Sequence, residues 1–292
     1  MKIFLTGGTG FIGSHFLNLL SRQDHKVTAL RRAESKPCIK IEKEPEWLVK
    51  EMDDLDVSDL EGCDTLVHLA SIGVSPQVAT WKELLYWNVT VLINLLEISH
   101  LAGVRRIVIT GSCAEYGKSS ELYDFIPTDA PLKPTFPYAA SKAASYVLAN
   151  AFALENKLEL CYLRIFSAFG EGQFKDNFWP ALREAALHGK DFSMSPGEQV
   201  RDYIPVEDVV EDILFACERE DITREQPSLS NVGSGNPVTM RKFAEKWWKQ
   251  LNATGNLKIG ELPYREYESM RVVPQLDDSQ NKHIARSDLE NL

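Results

Sequence analysis

The sequence lacks three features that would place it in a specialised class. Its five cysteines are scattered without a C-x-x-C pair, so we expect neither a disulfide framework nor a zinc site, and a reducing compartment is indicated. Acidic residues outnumber basic ones by 42 to 32, for a net charge of -10, so no nucleic-acid partner is expected. The N-terminal apolar run stops at Thr6, which is too short for a signal peptide or a membrane span. These absences predict a cytoplasmic protein with no metal and no membrane partner.

The first residues present a strand, a glycine turn and a helix in that order. The apolar run Ile3–Leu5 leads into glycines spaced G-x-x-G-x-x-G, and helical periodicity follows. Glycine lets the backbone turn tightly and approach a phosphate, while the amides of the first helical turn face the anion. The plain alternative is a tight turn that opens any α/β domain. We predict that a dinucleotide pyrophosphate binds at Gly7, Gly10, Phe11, Ile12 and Gly13.

Apolar runs and helical patterns alternate through the first half of the chain. This alternation predicts an α/β fold, a doubly wound parallel sheet of the Rossmann type with ligands at the carboxyl ends of its strands. The predicted strands are Ile3–Leu5, Lys26–Leu30, Thr65–Leu69, Arg106–Thr110 and Leu160–Phe166. The predicted helices are Gly13–Ser21, Trp81–His100 and Tyr138–Glu155.

The second half shows little strand alternation. We expect two short apolar segments, Tyr203–Val206 and Leu229–Val232, to return to the main sheet. The predicted dinucleotide-binding domain therefore comprises residues 1–170 plus about 201–235. The remaining residues, about 171–200 plus 236–292, are predicted to form a small C-terminal lobe that binds the substrate.

Tyr138 and Lys142 lie four residues apart at the start of a predicted helix, so they share one face. A nearby ammonium favours the phenolate, so we expect Lys142 to lower the pKa of Tyr138. Ser112 lies just past a strand end, where its hydroxyl can bind a substrate oxygen. Each feature also has an ordinary explanation, a common helical pair and a local cap.

Taken together, these motifs resemble the extended short-chain dehydrogenase/reductase family, which contains nucleotide-sugar epimerases, dehydratases and ketoreductases. The resemblance implies that Tyr138 is the proton donor or acceptor, that Lys142 tunes it and binds the ribose, and that Ser112 orients the sugar carbonyl. A nicotinamide would carry the hydride. The motifs are the glycine turn, His68–Ser71, Asn88, Ser112 with Tyr116-Gly117, Tyr138-x-x-x-Lys142, Leu163–Gly170 and Arg201–Val209.

The resemblance also implies further contacts and an assembly. The substrate it implies is a nucleotide-diphosphate sugar, with arginines on the diphosphate. The family's long helices pair across a two-fold axis, so a homodimer is expected. For Asp53, an unremarkable loop carboxylate is the alternative, and Ser167 stands where the family frequently has Asn. The implied cofactor residues are Asp53, Leu69, Ala70 and Ser71, and the implied substrate residues are Ser112, Ser167, Asn177, Arg201 and Arg271.

Arg31 and Arg32 follow the second predicted strand, where the adenosine ribose is expected. A carboxylate at this place suits NAD, whereas a guanidinium suits the additional phosphate of NADP. We therefore predict NADP, with NAD as the alternative cofactor and two solvated arginines as the plain alternative. Net reductases consume NADPH, whereas the family's epimerases and dehydratases regenerate their own NAD, so the arginine pair favours a reductase.

The loop after Ser112 reduces the number of reactions that the resemblance allows. Cys113-Ala114 stands where family dehydratases carry Asp-Glu, which disfavours 4,6-dehydration. Cys113 is either an acid/base or a packing residue, and Glu115 either bonds a buried polar group or reaches the site. We predict an NADP-dependent reductase of a nucleotide-linked 4-keto-6-deoxy sugar. The alternatives are an NAD(P)-dependent nucleotide-sugar epimerase and a non-catalytic NADP-sensing regulator.

Overall fold

The computed structural model describes residues 1–265 and 268–276 of the chain, which form an α/β fold. The strands are β1 (Lys2–Thr6), β2 (Lys26–Arg31), β3 (Glu46–Val49), β4 (Thr65–His68), β5 (Arg106–Ser112), β6 (Glu159–Ile165), β7 (Ser167–Phe169), β8 (Phe192–Met194), β9 (Val200–Pro205), β10 (Ser228–Val232), β11 (Pro237–Thr239), β12 (Leu257–Ile259) and β13 (Arg271–Val272). The helices are α1 (Phe11–Ser21), α2 (Trp81–Leu85), α3 (Val91–Leu101), α4 (Pro137–Asn156), α5 (Phe178–Leu187), α6 (Val206–Glu218) and α7 (Met240–Gln250).

Seven of these strands form one parallel sheet in the spatial order β10-β6-β5-β4-β1-β2-β3. From β1 the chain adds β2 and β3 on one side, and then crosses to add β4, β5 and β6 on the other. Ligands of such sheets bind outside the carboxyl ends of the strands, at the point where the order reverses. The predicted doubly wound Rossmann-type sheet is confirmed.

Alternating residues of the central strands pack against helices on both faces of the sheet. Ile3 and Leu5 of β1 lie in the core that α1 and α6 cover, whereas Phe4 lies in the core under α3 and α4. All three side chains are almost completely buried. Burial on both faces explains why these strands appear in the sequence as continuous apolar runs.

The predicted helix over Trp81–His100 is interrupted. A π turn, Tyr86–Thr90, separates α2 from α3, and such turns are frequent at functional sites. By length and composition alone, the stretch Trp81–Leu101 is apolar enough to cross a membrane. Leu92 and Leu95 of its α3 part pack against the sheet, as in a core helix.

One expected sheet return is confirmed and one is wrong. Leu229–Val232 falls within β10, which pairs with β6 at the edge of the main sheet. Tyr203–Val206 does not return there, because β9 instead pairs with β7, β11 and β13 in a separate small sheet. A short apolar run fits either sheet equally well, so its sequence did not distinguish them.

Helices α5 and α7 pack together over a second core outside the large sheet. Leu182, Met194 and Ala244 are its buried centre, with β8 and β12 paired beside it. These elements lie within the residues predicted to form the lobe. The domain boundaries stay a prediction, and residues 277–292 of that lobe lie outside the described residues.

Candidate active site

The glycine turn brings α1 and the loop after β4 into close contact. Gly7 has φ +76°, and a Cβ there would lie 2.6 Å from the backbone nitrogen of Ala70. A Cβ on Gly13 would lie 2.1 Å from the carbonyl oxygen of Gly7. Gly10 begins α1 with no side-chain cap, so the helix N-terminus can receive an anion. This geometry fits a dinucleotide pyrophosphate and puts Leu69 and Ala70 beside the same turn.

Asn88 ties the loop after β4 to helix α4. Its side-chain amide donates to the carbonyl of Ile72 (3.1 Å) and to the hydroxyl of Ser141 (3.0 Å), and its oxygen accepts from the Ile72 amide (3.0 Å). Ser71 also donates to this oxygen at 3.3 Å. Asn88 thereby fixes Ser71 relative to α4. The sequence motif contained Asn88, but its position in a π turn hid this cross-link.

The hydroxyls of Ser112 and Ser71 lie near the Tyr138 hydroxyl and interact with it. The hydroxyl therefore lies at the carboxyl ends of β4 and β5, the edge at which ligands of such sheets bind. Burial raises the pKa of Tyr138 well above its usual value, and the nearby Glu115 carboxylate raises it further. The two serine hydroxyls act in the opposite direction. Tyr138 is thus a protonated phenol at neutral pH in this structure.

Lys142 is buried one helical turn from Tyr138, and its Nζ donates to the carbonyl oxygen of Thr110 at 2.6 Å. Burial lowers the pKa of Lys142 to about 8, against an opposing effect of the Glu115 carboxylate. The prediction that Lys142 lowers the pKa of Tyr138 is wrong for this structure. Burial and the nearby carboxylate dominate the phenol, and the ammonium is directed at a backbone carbonyl.

The residues predicted for the adenosine end lie at the ends of β2 and β3. Arg31 donates to the carbonyls of Ala33 (3.3 Å) and Ser35 (3.1 Å), and its guanidinium lies over the ring of Trp47. Arg32 is exposed. Asp53 is exposed and accepts a hydrogen bond from the Tyr86 hydroxyl at 2.7 Å. Arg31 is half-buried, and both Arg31 and Asp53 already have partners within the chain.

The residues predicted for the substrate come from scattered elements. Ser167 lies in β7 and Asn177 begins α5. Arg201 of β9 forms an ion pair with Glu268. Arg271 of β13 donates to the Asp124 carbonyl at 2.8 Å. In the pairing of β9 with β13, Arg201 lies opposite Val272 and Arg271 lies opposite Val200. The backbones of the two predicted arginines are therefore close in the small sheet.

Glu115, Cys113 and His68 each have a structural role. Glu115 bonds buried groups, with Arg164 as its ion-pair partner at 2.7 Å. Burial raises the pKa of the Cys113 thiol to about 11, so it is a neutral packing residue. His68 is buried, its Nδ1 lies 2.8 Å from the Thr6 hydroxyl, and burial lowers its pKa to about 3. None of the three is a free acid or base at neutral pH.

The glycine turn and the Ser112–Tyr138–Lys142 arrangement can be compared with known proteins. A model of the NAD dependent epimerase/dehydratase family matches residues 3–233. The chain belongs to this family. The family prediction is confirmed, and with it an NAD-dependent enzyme of the nucleotide-sugar epimerase and dehydratase group.

Individual members of the epimerase/dehydratase family are similar over most of the chain. UDP-arabinose 4-epimerase 1 of Arabidopsis thaliana is 25% identical over 301 residues, covering 90% of this chain and 70% of that protein. UDP-glucose 4-epimerase of Lactobacillus helveticus is 27% identical over 242 residues, covering 74% and 72%. The solved structure of MoeE5 with UDP-glucose and NAD has a TM-score of 0.86 at 26% identity, covering 100% of this chain and 95% of that one.

Proposed function

We propose that the protein is an NAD-dependent epimerase that inverts carbon 4 of a nucleotide-diphosphate sugar. The observation that carries the proposal is the Tyr138 hydroxyl, which interacts with Ser112 and Ser71 at the strand ends and lies one helical turn from Lys142. The relatives named as UDP-sugar 4-epimerases support this reaction, and they make uridine the first nucleotide to test. The alternative reading of the sequence is thereby favoured over the predicted reductase.

The chain's own residues would move the proton. After Tyr138 has lost its own proton to solvent, its phenolate accepts the proton of the sugar 4-hydroxyl as carbon 4 is oxidised, and it returns that proton when the other epimer forms. The Ser112 hydroxyl, which lies near that of Tyr138, binds the same sugar oxygen. Bound NAD supplies the hydride acceptor and donor. Because burial keeps the free Tyr138 protonated, deprotonation requires positive charge beside it, and Lys142 is the cation on that face.

Dehydration receives no support from the side chains after Ser112. Cys113 and Ala114 cannot act as a carboxylic acid and carboxylate at neutral pH. The next carboxylate, Glu115, is completely buried and bound by Arg164. Among the residues near Tyr138 that the structure describes, the loop supplies no free carboxyl group to remove water from the sugar.

The second candidate is the predicted reductase of a 4-keto-6-deoxy sugar. Arg31 and Arg32 at the end of β2 favour it, because a guanidinium suits the extra phosphate of NADP. The Arg31 guanidinium already bonds two loop carbonyls and stacks on Trp47, which weakens this argument. The neighbour MoeE5 was solved with NAD, which supports NAD for this chain as well.

The experiment incubates the purified protein with UDP-glucose and NAD and follows the sugar anomeric signals by NMR. We expect equilibration with the C4 epimer and no net change in the cofactor. Tyr138→Phe serves as the inactive control. A parallel assay offers NADPH with nucleotide-linked 4-keto-6-deoxy sugars. Stoichiometric NADPH oxidation there, without epimerisation in the first assay, would overturn the epimerase and establish the reductase.

Assembly and location are further proposals. Helices α3 and α4 expose Leu101, Val147, Leu148 and Leu154, which supports a homodimer formed through these helices. Light scattering should then give twice the chain mass of 32.9 kDa, and a monomer would contradict the proposal. The five free cysteines support a cytoplasmic location, to be checked by cell fractionation.

A further inference from the structure

We propose that Glu115 is a positioning residue of the active site, which fixes the Ser112 loop and sets the charge around Tyr138 and Lys142. The inference rests on the proposed function, in which Ser112 and Tyr138 handle the sugar oxygen. The Glu115 side chain is 0% exposed, so it has no contact with solvent. Its role is therefore argued from what its two carboxylate oxygens hold.

One carboxylate oxygen holds the catalytic loop. Oε1 of Glu115 accepts the backbone N–H of Ser112 at 2.8 Å and the hydroxyl of Tyr162 at 3.0 Å. The Ser112 hydroxyl in turn accepts the N–H of Ala114, which closes a capping box on the short turn Cys113–Tyr116. The direction of the Ser112 side chain thus depends on the Glu115 side chain.

The other carboxylate oxygen is held by a buried arginine. Arg164 Nε donates to Oε2 at 2.7 Å, and Arg164 is only 1% exposed. Its Nη1 donates to the Thr128 carbonyl and the Tyr116 hydroxyl, and its guanidinium lies over the rings of Tyr116 and Tyr146. Arg164 cannot follow a displaced carboxylate, so it fixes the position of Glu115.

Gly111 shows how tightly the carboxylate is enclosed. A Cβ at this position would lie 2.5 Å from Oε1 of Glu115 and 2.3 Å from Cε1 of Tyr162. The backbone of β5 must therefore lack a side chain where Glu115 passes. This close approach is independent evidence that the strand is shaped around the carboxylate.

Glu115 also acts on the catalytic groups through its charge. Its carboxylate raises the pKa of Tyr138 and of Lys142, and Arg164 opposes its field. The titratable groups facing it are Tyr162 and Arg164 of β6, Tyr138 and Lys142 of α4, and Cys113 and Tyr116 of its own turn. A buried ion pair adds little net stability compared with apolar residues, which leaves specificity as its use.

The molecule contains a matched control for this test. Glu159 of β6 and Arg106 of β5 form a second buried ion pair, also at 2.7 Å, whereas the Glu115–Arg164 pair joins β6 to the turn that follows β5. That pair lies at the amino ends of the strands, away from Ser112. Its Arg106 guanidinium donates to the carbonyls of Cys217 and Arg219 at the end of α6. Glu115→Gln and Glu159→Gln therefore remove equivalent charges at opposite ends of one strand pair.

The experiment compares both variants with the wild-type enzyme. For Glu115→Gln we expect kcat to fall by about 100-fold, the loss typical of a misplaced reacting group, with KM little changed. The pKa of Lys142, measured by NMR of its labelled side chain, should drop below its value of about 8. Glu159→Gln should change neither quantity. Equal effects of the two variants, or a wild-type kcat in Glu115→Gln, would overturn the proposal.

Two outcomes need their own measurement. If Glu115→Gln does not fold, Tyr162→Phe removes one hydrogen bond to Oε1 without changing charge, and kcat should fall by about fivefold. An unchanged kcat there would overturn the proposal. If the wild-type protein epimerises no UDP sugar, the proposed function fails, while the Lys142 titration in Glu115→Gln still decides whether Glu115 sets the charge of the site.

Discussion

The large sheet and the small sheet around β9 collect their candidate ligands in different ways. In the large sheet, Gly7, Leu69 and Ser112 each lie at or just after the end of a strand. In the small sheet, Arg201 and Arg271 come onto adjacent strands because β13 pairs with β9 across about 70 residues of sequence, and the register places their side chains on opposite faces. The cofactor half of a site can therefore be located from local patterns, whereas the substrate half depends on long-range pairing.

Replacing Tyr138 should have the largest effect, and it tests the large-sheet side of this contrast. Tyr138→Phe removes the proton carrier, so kcat should fall by about 10² to 10⁴-fold while NAD binding persists. Tyr264→Phe is the matched control outside the large sheet, since within the described part of the chain its hydroxyl accepts one long bond, 3.4 Å from the Glu198 amide. Equal kcat in the Tyr138→Phe and wild-type enzymes would contradict the role of Tyr138 as proton carrier, whereas an unchanged cellular role of Tyr138→Phe would point to the non-catalytic regulator.

A glycine pair tests whether the large sheet is separable from the region of β8 and β12, which lies outside both sheets compared above. A Cβ on Gly13 would lie 2.1 Å from the Gly7 carbonyl, and one on Gly255 would lie 2.2 Å from the Lys190 carbonyl. Each alanine should cost about 3 kcal/mol of unfolding free energy through overpacking. Only Gly13→Ala should also weaken NAD binding, as measured by calorimetry. Equal loss of NAD binding in Gly255→Ala would show that the regions are coupled.

Arg201 tests the small-sheet side. If this guanidinium binds the substrate diphosphate, Arg201→Met should raise KM for the UDP sugar by roughly 30-fold, about 2 kcal/mol for a charged hydrogen bond. Glu268 now pairs with Arg201, so Glu268→Gln should lower KM by releasing it. Steady-state kinetics of both variants decide this. Unchanged KM in both would mean that the ion pair is structural only.

His68 should give an effect spread over several pH units, as an acid sensitivity of the large sheet. Its pKa is about 3 when folded and near 6.5 when unfolded, so the unfolded state binds the additional proton. The stability it contributes is present above pH 6.5 and is lost as the pH falls towards 3, at about 1.4 kcal/mol per pH unit. Denaturation of His68→Gln should show this slope reduced relative to the wild-type protein. A wild-type slope in His68→Gln would contradict the assignment.

The sequence predicted the elements whose rules are local. The strands at Lys26 and Arg106, the helix after Pro137 and the glycine turn all follow from apolar runs, propensity and capping within a few residues. Ser112, Tyr138 and Ser71 do meet at the sheet edge, as the strand ends required. The candidate catalytic cluster could therefore be placed without knowing the whole fold.

Other features depended on contacts that no local pattern contains. The π turn holding Asn88 breaks the regular helical period, so the helix over Trp81–His100 was predicted as continuous. The small-sheet position of Tyr203 and the Glu115–Arg164 pair arise only when distant segments meet. The pKa of Tyr138 was predicted in the wrong direction because burial and a nearby carboxylate are tertiary properties.

The most direct measurement uses UDP-glucose labelled with deuterium at carbon 4, incubated with the wild-type protein, NAD and unlabelled solvent water. If one cofactor returns the hydride that it removed and Tyr138 moves only the proton, deuterium should remain on carbon 4 of both epimers. The Tyr138→Phe protein should show no conversion. Deuterium lost to solvent, or passed to a pool of free reduced cofactor, would contradict the account.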